Sequence, residues 1–107
     1  MSTPEPELHY AIEILPPGRV PFKRWRYELW SGQVLLASGW RTSERQVERA
    51  LRTHAARHAH RVLGLHPLRL DAAAFGGAFR PGAPARVICG GPVTCLLLPR
   101  TPRPDAI

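Results

Sequence analysis

From Trp25 to Leu36 the side chains alternate in a way that paired strands satisfy and a helix does not. Trp25, Tyr27 and Leu29 share one side, while Arg24, Arg26, Glu28 and Trp30 share the other. A helix would scatter those rings around its circumference; a strand gathers them. Ser31-Gly32 is a two-residue turn signal, and a tight hairpin there pairs Trp30 with Gln33, Leu29 with Val34, Tyr27 with Leu36 and Trp25 with Ser38. That register collects Trp25, Tyr27, Leu29, Val34 and Leu36 on an apolar face and leaves Arg24, Arg26, Glu28, Trp30, Gln33 and Leu35 opposite. The first face is expected to be core and the second free to meet a partner.

The flanking sequence supplies what such a hairpin needs to be stable. Leu8, Tyr10, Ile12 and Ile14 alternate with His9, Ala11 and Glu13, the period of a half-buried strand, until Pro16-Pro17-Gly18 stops it. After Gly39-Trp40, Thr42-Ser43-Glu44-Arg45-Gln46 reads as a helix start, with Ser43 capping the amide of Gln46 and Gln46 reaching back. The helix is predicted to run to about Leu63, ended by Gly64. Val47, Ala50, Leu51, His54, Ala55, His58 and Val62 form its apolar stripe, and Arg45, Arg49, Arg52, Arg57 and His60 face outward. Beyond Pro67, Leu70 to Phe75 reads as a short helical turn, and Arg86 to Cys89 and Val93 to Leu98 as short strands around Gly90-Gly91. The expected fold is therefore α+β: a three-stranded antiparallel sheet packed on one amphipathic helix (β-β-β-α), with a C-terminal extension adding one or two edge strands. Residues 8–98 form this single domain, between proline-punctuated polar tails at 1–7 and 99–107.

A chain of 107 residues holds one core and leaves little to bury in a second. Association into a homo-oligomer is compatible with that size. The longest apolar run, near Val93 to Leu98, is far short of the roughly 20 residues a membrane span needs, so no membrane partner is expected. No basic-then-apolar leader is visible in the first residues, which points to the cytoplasm, where Cys89 and Cys95 would be free thiols.

Chemistry-bearing groupings are sparse. His54 and His58 stand one helical turn apart and, with His60, His66, Cys89 and Cys95, raise the question of zinc. The spacing is half a site, the cysteines lack a CxxC, and both helix histidines fall in the apolar stripe, so the expectation is no metal. Gly76-Gly77 and Gly90-Gly91 lack the flanking residues of a phosphate loop and read as turns. No serine or cysteine sits in a nucleophile elbow. A non-catalytic module with no cofactor is expected.

Binding is better supported. Net charge is +7, and Lys23 is the sole lysine among fifteen cationic side chains. Arginine forks pair with phosphates and stack on bases, although a GC-rich genome also writes arginine into any protein. Arg24, Arg26 and Trp30 interleave charge with an aromatic ring on the expected free face, Gln33 adjoins them, and Arg41, Arg45, Arg49 and Arg52 continue positive charge around the helix start. These eight residues are the candidate nucleic-acid site. The alternative is a protein-interaction module, a small inhibitor or adaptor, in which Trp30, Leu35 and Val93 to Leu98 form the interface.

Gly32-Gln33-Val34-Leu35-Leu36-Ala37-Ser38-Gly39-Trp40-Arg41-Thr42-Ser43 resembles the YegP-like family of short bacterial proteins, in which a strand after Gly ends in Ser, an aromatic and a hydroxyl helix cap. Trp25-Arg26-Tyr27, followed by Trp40-Arg41-Thr42-Ser43-Glu44 and a helix, looks more loosely like the arm-type DNA-binding domain of tyrosine integrases. The first resemblance implies a fold only. The second implies that a three-stranded sheet enters the major groove with Arg24, Arg26, Trp30, Gln33 and Leu35 facing the bases. Both lie within residues 25–58.

Overall fold

Tyr27 and Leu29 point into a core, as their alternation requires, and both are buried. A computed structural model of the chain describes residues 5–62, 80, 82–88 and 94–102. Within them run β1 (Glu7–Ile14), β2 (Trp25–Ser31), β3 (Val34–Arg41), α1 (Glu44–Val62), β4 (Ala85–Ile88) and β5 (Thr94–Pro99). The fold is α+β, and the sheet has five strands in the order β3-β2-β1-β5-β4.

This corrects the expected sheet in two ways. It is mixed, because β5 lies parallel to β1 while the other pairings are antiparallel. Of the two added strands only β4 is an edge; β5 is inserted beside β1. The physical reason is apolar matching: Leu8 pairs with Leu97, and with Cys95 and Val87 they complete a core that the first three strands alone would leave open at β1. The ladder is prolonged at both ends by Leu96 N–H to the Pro6 carbonyl (2.9 Å) and Arg100 N–H to the Tyr10 carbonyl (2.8 Å). Glu5 accepts from Arg86 Nε at 2.8 Å and from Thr94 Oγ1 at 2.5 Å, tying the chain before β1 to β4 and β5.

The hairpin register is also displaced. Ser31 pairs with Val34, so the turn is Gly32-Gln33, with Gly32 at φ +59°, which glycine adopts without a Cβ penalty. A bulge follows: Trp30 pairs with Leu35 but Leu29 pairs with Ala37, which makes Leu36 the extra residue. Leu36 still packs against the core, whereas Val34, expected inside, is 61% exposed. Beyond the bulge Tyr27 faces Gly39, where an added methyl would stand 3.0 Å from the Tyr27 hydroxyl. The bulge delivers the one residue small enough to lie under that ring.

Helix α1 begins as its sequence dictates. Ser43 Oγ accepts the Gln46 amide at 3.2 Å, and Gln46 Oε1 reaches back to Thr42, taking both its N–H (3.2 Å) and its hydroxyl (2.9 Å). The helix lies on one sheet face and touches all five strands, with Val47, Leu51 and Ala55 in the shared core. Two outward assignments are corrected: Arg52 and His60 are buried. The buried arc extends round the helix through Ala56 and Ala59, whose small side chains permit close approach, and Arg52 pairs with Glu48 at 2.8 Å. Val62, expected in the stripe, is exposed at the helix end. The expected stop at Gly64, the turn at Leu70 to Phe75 and the Gly76-Gly77 and Gly90-Gly91 turns lie outside the described residues.

Candidate functional site

The sheet face opposite α1 carries Arg26 and Trp30, as alternation requires, but both are engaged within the fold. The antiparallel register brings Glu13 of β1 across from Arg26, and Arg26 contacts Glu13 at 3.3 Å and Glu28 at 2.6 Å. Glu28 is buried and also accepts the Trp30 indole N–H at 3.1 Å. A carboxylate taken out of water must be compensated, and here an arginine fork and an indole do so. Trp30 is itself buried, and the Arg100 guanidinium stacks on its ring at 4.3 Å. Arg26 thus meets two carboxylates on this face, and the Trp30 ring is covered.

A different arrangement holds where β3 meets α1. Arg41, at the end of the edge strand, and Gln46, Arg49, Ala50, Thr53, His54 and Arg57 along the helix line a groove of about 500 Å³. Gln46, Arg49, Thr53 and Arg57 share one helix face because they recur at three- and four-residue intervals. Among the described residues no carboxylate lines it, and none of the three arginines has an ion-pair partner. Buried Tyr27 holds two of the lining residues in place: the Arg41 guanidinium sits over its ring at 5.5 Å and His54 stacks beside it at 6.1 Å. Burial, with the Arg57 and Arg41 charges adding to it, holds the His54 imidazole below its ordinary value, so the groove favours a neutral ring.

The third feature is at the other side of the same strand end. Trp40 alternates with Arg41 and so projects onto the open sheet face, opposite Arg26. Unlike Trp30 it is exposed, stacked at 6.4 Å and 20° on Phe22 from the β1–β2 loop, with the Arg24 guanidinium 5.9 Å from its ring. Arg24 precedes β2, so it belongs to this loop cluster rather than to the strand, and it also reaches the Pro16 carbonyl at 3.5 Å.

Of the eight candidates, then, Arg41 and Arg49 come together in the groove and Arg24 joins the Trp40 cluster. Arg26 and Trp30 form the neutralised patch, Arg52 is buried, Gln33 is exposed in the hairpin turn, and Arg45 is exposed on the helix outside the groove lining. Sequence reasoning missed Arg57, His54 as a groove residue, Trp40 and Phe22. The repeat Arg45, Arg49, Thr53, Arg57 at four-residue spacing was the available signal for the first.

Among the described residues no three His, Cys, Asp or Glu side chains stand together as a metal site; His66 and Cys89 are not among them. His58 is half-buried, and burial followed by the Arg61 charge lowers its imidazole below the ordinary value. No helix among the described residues is long and apolar enough to cross a membrane. No family model matches the chain, nor does any curated protein or solved structure.

Proposed function

We propose that this protein is a small non-catalytic module that binds the phosphate backbone of nucleic acid in the groove between β3 and α1. The observation that carries this reading is the lining itself: Arg41, Arg49 and Arg57 converge without a carboxylate among the lining residues, on a chain of net charge +7. Three guanidinium groups without an ion-pair partner among the described residues repel one another, and a row of phosphates relieves that repulsion while releasing counterions. The likeness of residues 25–58 to integrase arm domains points to the same ligand but would use the sheet face, where Arg26 already meets two carboxylates. Fold analogy carries less weight than the unmatched charge.

Affinity for labelled DNA or RNA should fall steeply with salt, and replacing Arg49 and Arg57 together by Ala should reduce the log–log slope by about 1.5 to 2, from roughly 0.7 to 0.9 per contact. Arg26→Glu is a poor probe because it breaks the Glu28 pairing. Absence of binding to duplex and single-stranded DNA and RNA at low salt would discard the proposal. A protein partner is the second reading, favoured by the apolar hollow of about 380 Å³ formed by Ile14 to Pro17 and Val20 to Arg24 in the β1–β2 loop.

A further inference from the structure

Trp40 and Phe22 are large rings that the fold leaves about half in water, at 46% and 45% exposure, although each could bury more than it does. They are not loosely placed. Trp40 is fixed by its strand pairing with Arg26, and Phe22 by a loop whose ends are closed by Leu15 N–H to the Arg24 carbonyl at 2.9 Å. Pro16, Pro17 and Pro21 stiffen that loop, so the ring pair is held ready at little further entropic cost on binding. Cations surround it: Arg24 stands over Trp40, Lys23 is exposed beside Phe22, and Arg41 follows Trp40 on the groove side of the strand. Charge of that sign admits a polyanion and discourages a basic protein surface.

We propose that the Phe22–Trp40 pair is a stacking platform for unpaired nucleobases, so that the nucleic acid bound here is single-stranded. The inference rests on the groove reading above and deepens it. A duplex stacks its bases on one another, so their π-faces are closed to an aromatic side chain unless a base step is unstacked at a cost in stacking energy. A single strand whose backbone follows the β3 end past Arg41 has bases free to lie on exposed rings, and every base has a π-face, so the platform selects strandedness rather than sequence. Arg24 adds a cation–π contact on the same rings.

Fluorescence anisotropy with a labelled oligo-dT, an oligo-rU of equal length and a mixed-sequence duplex tests this in the intact chain. Both single strands should bind more tightly than the duplex. Trp40→Ala, and independently Phe22→Ala, should weaken single-strand binding by roughly 5- to 150-fold, the range for losing one base-stacking ring, without changing the salt slope. Phe22 lies outside every strand, so its variant keeps the test valid if Trp40→Ala unfolds. Trp40→Phe should restore most of the affinity. Duplex binding equal to or tighter than single-strand binding, or single-strand affinity unmoved by Phe22→Ala, overturns the platform while leaving the groove standing. Binding to none of the three ligands overturns both.

Discussion

The two arginine-bearing surfaces of this domain sit on opposite sides of one sheet, and they spend their charge differently. On the open face Arg26 neutralises Glu13 and Glu28, and Trp30 donates to the same buried carboxylate. In the β3–α1 groove Arg41, Arg49 and Arg57 have no carboxylate beside them among the lining residues, and burial with the Arg57 and Arg41 charges lowers the pKa of the imidazole among them. The first arrangement contributes to folding and leaves little for a ligand. The second contributes little to folding and is suited to meeting an external anion. Positive charge therefore marks a binding surface only after the local acids have been subtracted.

The sharpest way to break this contrast is Arg26→Ala. It leaves Glu28, whose side chain is 1% exposed, without its strongest described contact, and should destabilise the fold by about 3 kcal/mol, on the order of 15 °C in Tm. A loss below about 1 kcal/mol in urea titration would sink the claim that this pair is structural.

A smaller effect is expected from pH at His54. Its imidazole is depressed from 6.5 in the free protein, so the stability it permits is full above that value and is lost as pH falls toward the folded pKa. A phosphate in the groove offsets Arg57 and Arg41 and favours the imidazolium, so oligonucleotide affinity should rise over the same window in which the free fold weakens. Titration calorimetry in two buffers of different ionisation enthalpy should detect proton uptake that His54→Gln abolishes. Unchanged proton uptake in that variant would place the anion elsewhere. The smallest effect is on folding at the groove itself: Arg49→Ala should stay within about 0.5 kcal/mol of the parent, since the side chain is exposed and has no ion-pair partner among the described residues. A larger loss in chemical denaturation would show that the groove arginines are structural after all.

Much of the architecture is legible from local pattern. The inward set Tyr27 and Leu29, the cap formed by Ser43 and Gln46, and the helix core through Val47, Leu51 and Ala55 follow from periods of two and 3.6 and from hydroxyl chemistry. What was not legible depends on neighbours distant in sequence. Glu13 reaches Arg26 through the β1–β2 register, and β5 reaches β1 from the far end of the chain. The hairpin slipped by one because Gly32, not Ser31, opens the turn, and the bulge at Leu36 then inverted the alternation, pairing Ala37, Gly39 and Arg41 with the inward residues of β2. The bulge at Leu36, which alternation does not announce, puts Trp40 on the same face as Trp30, yet position in the sheet decided their fates: Trp30 is flanked by His9 and Leu35, while Trp40 stands at the end of an edge strand.

Strand β1 has one neighbour made immediately after it and another made much later, since Glu7 pairs with Leu96. While the polypeptide leaves the ribosome, β2 and β3 can join β1 early, but the remaining N–H and C=O groups along Leu8 to Tyr10 wait until β5 emerges. Synthesis thus passes through an interval in which a greasy, half-paired ribbon is open to the wrong suitor, and we expect nascent chains halted before Thr94 to be captured by a chaperone more readily than released ones. Equal capture of the two in a ribosome pull-down would show that the late strand guards nothing.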